Sequence, residues 1–216
     1  GPTLEDLDPV RFIGNRSSGR MGFAIAAEAS RRGAQVTIVA GPTTVEPPRV
    51  AELVKVRSAA EMHQAVIARA DRSDVVVMAA AVADYTPAER APHKVHKEDD
   101  TLTLVLKRTP DILGELGRRR LASGRGPLLV GFGAETEHVE EQGAAKRQRK
   151  QVDLIVANDV ARSDAGFDVE TNAVTIVGEG GSETLPLLPK SQVAAEILDR
   201  VEKLLVQNAA RAEANR

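Results

Sequence analysis

Short apolar runs alternating with stretches of helical character set the strongest limit on what this chain can fold into. QVTIVA (residues 35–40), LVKV (53–56), DVVVMAA (74–80), LLVGF (128–132) and DLIVA (153–157) are rich in β-branched side chains and apolar at successive positions. That is the pattern of strands buried on both faces rather than on one. Between them lie helical patterns. Residues 21–32 are alanine-rich and stop at Gly33, a glycine placed to cap the end. Ser58 and Glu61 have the spacing of a capping box. A further helix is predicted with Thr109 as N-cap, Pro110 at its first position and Asp111 in its first turn. Strand and helix in repetition give an α/β fold, a doubly wound and mainly parallel sheet with helices on both faces.

The regularity breaks in two places. Residues 102–106 (LTLVL) read as an extended pairing segment, and residues 173–187 read as two β-like runs joined by a hairpin at 178–182. The last stretch, QNAARAEANR, reads as a helix fraying into a polar tail over 208–216.

With 216 residues, 42% of them hydrophobic and 28% charged, the chain can bury one sizeable core. Its net charge is −2, and apart from the run Lys146 to Lys150 the basic residues are scattered, so neither nucleic acid nor a membrane surface is expected as a partner. The absence of cysteine excludes disulfides, thiolate nucleophiles and cysteine zinc sites, and fits a reducing compartment. No apolar stretch reaches the roughly 18 residues of a membrane span, and the first residues lack a signal-peptide core. A cytoplasmic location is expected.

In a sheet of this kind, ligands bind beyond the carboxyl ends of the strands, where a glycine-rich turn exposes the N–H groups of a helix start. DPVRFIGNRSSGRMG, residues 8–22, has that character. Gly14 and Gly19 let the backbone come close to a ligand, Ser17 and Ser18 add hydroxyls, and Arg11, Arg16 and Arg20 add charge. The spacing imitates a phosphate loop, but Arg20-Met21 stands where lysine and serine or threonine are required, and the dinucleotide fingerprint G-x-G-x-x-G is missing. Asp84 follows a strand through AAAVADY and reads either as a turn former or as a ribose or base ligand. HKVHK, residues 93–97, reads either as a solvated edge strand or as a phosphate-binding segment, and Lys146 and Lys150 share one helical face. The four histidines have no metal-ligand spacing, and no Ser-His-Asp arrangement is evident.

Taken together, DPVRFIGNRSSGRMG, AAAVADYTP, KVHK, TPDIL, VGFGAET, AKRQRKQVDLIVANDV and NAVTI occur in an order and spacing that resemble bacterial phosphopantothenoylcysteine synthetase, the ligase half of the fused coenzyme A biosynthesis flavoprotein. The resemblance implies a Rossmann-like homodimer, with residues 1–207 as the ligase domain. It implies that 4'-phosphopantothenate is joined to L-cysteine. CTP with Mg2+ would activate the carboxylate as an acyl-cytidylate, and the cysteine amine would displace CMP.

Carried over residue by residue, the resemblance makes Lys94 the lysine of acyl-cytidylate formation, and Asn15 and Arg11 the groups that handle the intermediate. The nucleotide would be held by Met78, Ala79, Ala80, Asp84, Lys94, Pro110, Asp111, Ile112, Leu113, Phe132, Lys146 and Lys150. The FMN-binding decarboxylase half is not in this sequence, so no flavin site is expected; it would be fused to this domain or associated with it. Two departures stand out. His96 occupies a position where the family carries lysine, and Gly1-Pro2-Thr3 opens the sequence where the family has a strand leading into a Gly-Gly-Thr turn, so that strand is expected to be absent. A nicotinamide-dependent reductase and a non-catalytic nucleotide-binding module are the alternative readings.

Overall fold

The computed structural model describes residues 1–96, 100–135, 138–159 and 169–214. Lys97 of KVHK, Thr136 of VGFGAET and Val160 of IVANDV therefore lie outside the described residues.

The chain begins with a small antiparallel hairpin, β1 (Leu4–Asp6) and β2 (Phe12–Gly14), followed by α1 (Arg20–Arg31). Two strands, β3 (Thr37–Ala40) and β4 (Glu52–Lys55), pair in parallel, and α2 (Ala59–Ala70) leads to β5 (Val75–Met78). A second hairpin-like pair, β6 (Tyr85–Pro87) and β7 (Leu106–Arg108), precedes α3 (Ile112–Ser123). Then come β8 (Leu128–Glu135), α4 (Val139–Lys150) and β9 (Leu154–Asp159). The short β10 (Thr171–Asn172), the hairpin β11 (Val174–Gly178) and β12 (Gly181–Thr184), the short β13 (Leu188–Pro189) and α5 (Lys190–Ala214) complete the chain.

The central sheet has the order β12-β11-β9-β8-β5, parallel across β5, β8 and β9 and antiparallel at β11 and β12. Alternate residues of its middle strands feed two separate cores, as the two-residue period of a strand requires. Leu128, Val130, Leu154 and Val156 pack with α1 and α5 through Ile25, Val193, Ile197 and Val201. Leu129 and Ile155 point the other way, against Met62 and Val66 of α2 and Ile112 and Leu116 of α3. Helices thus cover both faces, which is why these strands read as continuous apolar runs.

The β3–β4 pair forms its own sheet among the described residues. Gly1 to Thr3 pass between it and the central sheet at the carboxyl ends of β3 and β5. Pro2 bridges Ala81 in parallel fashion, and Gly41 lies so close that a Cβ there would overlap the Pro2 carbonyl.

Several local expectations shift. The end of α1 has Arg32 as cap and Gly33 at φ 88°, a left-handed conformation that glycine adopts without penalty. Ser58 caps α2 by accepting from the Glu61 N–H, but the reciprocal arm is displaced: Glu61 accepts from Arg57 rather than Ser58. Thr109 does not cap α3. Its hydroxyl donates to the Ala83 carbonyl at 2.6 Å, Pro110 stays outside the helix, and Asp111 becomes the cap by accepting from the Gly114 N–H at 3.0 Å. Pairing in the 102–106 region begins only at Leu106, although the Val105 carbonyl accepts from Ala88. The expected frayed tail is helical to Ala214, because α5 continues past the residues that pack on the sheet.

Candidate active site at the carboxyl ends of the strands

The β1–β2 hairpin closes over a turn built around Asp8. Its carboxylate is buried, with one oxygen accepting from the Val10 and Arg11 N–H groups, both at 2.8 Å. The other oxygen accepts from Arg11 Nε at 3.0 Å and Nη2 at 2.6 Å, and from the Val95 N–H at 3.1 Å. The Arg11 guanidinium holds the Asp8 carboxyl far below its ordinary range; burial opposes this, and the three backbone N–H groups reinforce it. Arg11 Nη2 also donates to the Val95 carbonyl at 2.7 Å. Arg11 and the segment that carries Lys94 are thereby brought together, although they lie 84 residues apart along the chain at that contact. Lys94 itself is exposed, and its ammonium has no hydrogen bond or ion pair with the described residues.

Asn15 follows β2 and is exposed, and its Nδ2 donates to the Val82 carbonyl at 3.1 Å. The same stretch of chain ties several expected residues together. Thr109 donates its N–H to the Asp84 carbonyl at 3.0 Å and its hydroxyl to Ala83, so the approach to α3 is fastened to the segment leaving β5. Met78, Ala79 and Ala80 lie at that exit, and all three are half-buried. The first turn of α1 approaches them at Gly22, where a Cβ would lie 3.6 Å from that of Ala79. No side chain caps α1 at Gly19, which leaves its opening turn without the usual side-chain acceptor.

On the nucleotide side, Gly131 makes room for the start of α3. A Cβ there would come within 2.5 Å of Leu113 and 2.9 Å of Ile155, so the absent side chain lets Leu113 settle against β8, while Phe132 points to the opposite face of the sheet. Gly117 plays the same part between α3 and α4, since a Cβ there would overlap the carbonyl of Lys150. From that contact the Lys150 side chain runs back toward the start of α3 and pairs with Asp111 at 2.5 Å. Burial alone would raise the Asp111 carboxyl, but Lys150, the Gly114 N–H and the charges of Lys150 and Arg118 together bring it below its ordinary value. Lys146 lies one turn earlier on α4 and is half-buried. Pro110 and Asp84 are exposed.

The expected residues therefore form two groups, Arg11, Asn15 and Lys94 in one and Asp111, Leu113 and Lys150 in the other, with Phe132 packed on the opposite face of β8. The stretch 82–84 and Thr109 connect them. Two features went unread in the sequence. Asp8 carries no local signal of its burial, and nothing near it in sequence announces its contact with Val95. Asn172 donates to Asn158 Oδ1 at 2.9 Å, within the carboxyl half of β9, and its own Oδ1 is buried with no hydrogen-bond partner among the described residues. A cavity of about 280 Å³ beside α1, lined by Arg20, Phe23, Val45 and Glu170, contains none of the expected residues other than the loop's Arg20.

The fold and this polar rim define a Rossmann-like α/β protein whose chemistry-bearing residues gather at the carboxyl ends of parallel strands. Residues 1–205 match the family described as the DNA/pantothenate metabolism flavoprotein C-terminal domain, and the chain belongs to that family. The coenzyme A biosynthesis bifunctional protein CoaBC of Bacillus subtilis is 45% identical over 98% of this chain and 52% of its own length. The protein of that name from Escherichia coli K12 is 45% identical over 93% of this chain and 50% of its own. The chain thus spans about half the length of these relatives. The crystal structure of a CoaBC C-terminal domain superposes with a TM-score of 0.79 at 42% identity, covering 96% of this chain and 93% of that one. The family resemblance read from the seven motifs is the family found.

Proposed function

We propose that this chain is a phosphopantothenate-cysteine ligase domain. It uses CTP to activate the 4'-phosphopantothenate carboxylate as an acyl-cytidylate, then passes the acyl group to the amine of L-cysteine with loss of CMP. The observation that carries this reading is the docking of the Lys94 segment on Arg11 through Val95, which sets two cationic side chains beside the loop that ends at Asn15. Membership of a family shared with the C-terminal halves of coenzyme A biosynthesis proteins supports the choice of substrates.

The first step brings a carboxylate against the α-phosphate of a triphosphate, so anion meets anion and nearby cations lower the barrier. The Lys94 ammonium, without a partner among the described residues, serves this step. The start of α3 offers backbone N–H groups and the positive end of a helix dipole, with Lys150 alongside. In the second step a neutral amine attacks the mixed anhydride and its carbonyl oxygen gains charge. Asn15 Nδ2 uses one hydrogen on Val82 and retains another to donate.

Magnesium is expected to arrive with the triphosphate, keeping several waters and using one or two carboxylates together with phosphate oxygens. Among the described residues no group of three or more acidic or histidine side chains forms a cage for it. The exposed carboxylate of Asp84, on the nucleotide side, has the right chemistry for such a shared role. No helix among the described residues is long and apolar enough to cross a membrane. A homodimer is part of the same proposal. Leu102, Leu104, Val105 and Leu106 are 40–72% exposed beside the β6–β7 pair, where a second copy would cover them, while the tip strand β12 (GSET) offers polar groups only.

The test is pyrophosphate release on mixing the chain with phosphopantothenate and CTP, ATP or neither, before cysteine is present. CTP is expected to give one pyrophosphate per site without cysteine. A strict requirement for cysteine would overturn the stepwise order, and no release under any condition would overturn the ligase reading.

A further inference from the structure

Val95 holds the segment that presents Lys94 right beside that residue, and further back along it the Ala91 N–H donates to the Leu7 carbonyl. Among residues 92–96, only Val95 makes hydrogen bonds to the described residues, its N–H to Asp8 and its carbonyl to Arg11. Asp8 also determines where Arg11 points, since both oxygens of its buried carboxylate are occupied by that residue's backbone and side chain. One buried carboxylate therefore fixes both Arg11 and the backbone beside Lys94.

Resting on the ligase reading above, we propose that Asp8 is a positioning residue for acyl-cytidylate formation, acting through the Val95 N–H to hold the Lys94 backbone in place and through Arg11 to close the same clamp. A lysine on a free segment spreads its ammonium over a large volume. Anchoring the adjacent residue confines it, and much of what an enzyme gains from a charged group depends on that confinement. The alternative, that Asp8 merely closes a turn, accounts for the bonds to Val10 and Arg11 N–H but not for the contact 87 residues away. Asparagine at position 8 would keep an acceptor for the turn while its NH2 faced two donors, Val95 N–H and Arg11. It separates the two roles.

The experiment compares wild type, Asp8→Asn, Val95→Pro and Lys94→Gln in single-turnover pyrophosphate release with CTP and phosphopantothenate. Hydrogen exchange at the Val95 amide, CTP affinity by calorimetry and thermal stability are followed in parallel. Val95→Pro deletes the gripped N–H and leaves the Asp8–Arg11 turn untouched, so it tests the clamp even if Asp8→Asn folds poorly. The expected result is a release rate about tenfold lower or more in both variants, with CTP affinity within about twofold of wild type. Val95 amide exchange should accelerate in Asp8→Asn while the β8 and β9 amides remain protected. In a Lys94→Gln background, Asp8→Asn should add little further loss of pyrophosphate release, because the cation that the clamp positions for this first step is already gone. Near-normal release by a folded Val95→Pro, or full additivity with Lys94→Gln, overturns the positioning role while leaving the ligase reading standing. A wild-type chain that releases no pyrophosphate overturns both.

Discussion

Lys94 and Lys150 each bring an ammonium to the rim of the same fold, yet one is fixed through its neighbour's backbone and the other through its own head group. Lys94 lies on a segment outside helix and strand, exposed and without a partner among the described residues, with position supplied by the Asp8–Val95–Arg11 contacts. Lys150 sits at the end of a helix packed against Gly117, and its charge is already spent on Asp111. The difference separates two ways of readying a cation. A free ammonium on an anchored backbone can respond fully to charge that develops during reaction. A paired one must be drawn from its partner, so it acts on ground-state binding and competes with a carboxylate each time a phosphate arrives.

The largest effect should therefore come from Lys94. Lys94→Gln keeps chain length and some hydrogen bonding but removes the cation, and acyl-cytidylate formation should fall by about a hundredfold or more with the fold intact. Asn15→Asp provides the contrast. Its anion opposes the charge that builds on the carbonyl oxygen in the second step, at a cost on the order of 3 kcal/mol, about a hundredfold. Mass spectrometry should find the acyl-cytidylate accumulating in Asn15→Asp and missing in Lys94→Gln. Equal stalling of both variants before pyrophosphate release would erase the division of labour.

A smaller effect should follow from the surface beyond the Lys94 segment. Val105 is 72% exposed in a run of apolar residues, so Val105→Asp should shift the chain toward monomer in sedimentation at micromolar concentration. The same change should disturb the Lys94-dependent step while leaving CTP affinity nearly constant, because Lys150 is held by its pair with Asp111 of the same chain. Unchanged assembly would mean that residues 102–106 are not the dimer contact.

How much of this contrast was legible beforehand depended on distance along the chain. The doubly wound sheet was visible because β5, β8 and β9 pack against apolar side chains on both faces and carry apolar residues at successive positions. The Ser58 cap and the hairpin at β11–β12 were visible because their determinants lie within four residues. The α3 cap was misplaced by two positions: Thr109, Pro110 and Asp111 satisfy local rules equally well, and the choice was made by Ala83, a tertiary acceptor that takes the Thr109 hydroxyl. The strands β1 and β2 escaped notice for a similar reason. Three-residue strands carry almost no periodic signal, and Glu5 is buried there only because it accepts from the distant Ala59 N–H. Asp8 belongs to this group as well.

The smallest predicted effect bears on Lys150, and it follows from the double employment of Asp111. The carboxylate caps α3 through the Gly114 N–H and pairs with Lys150 through its other oxygen. Asparagine caps a helix about as well as aspartate, so Asp111→Asn should change stability by less than about 1 kcal/mol while releasing the ammonium. A released Lys150 no longer has to leave a carboxylate when a triphosphate binds. Calorimetry should show CTP bound a few-fold more tightly, with a steeper dependence on ionic strength. The folded-state pKa of Asp111 is lowered, so the stability it contributes is complete above the unfolded value and is lost as pH falls below that value toward the folded one. Between pH 6 and 8 the Asp111 carboxylate is ionised, and the gain in affinity should be flat across that window. Weaker CTP binding in Asp111→Asn would show instead that the carboxylate itself meets the nucleotide or its metal, and Lys150 would then have to be regarded as the residue that holds Asp111 in place.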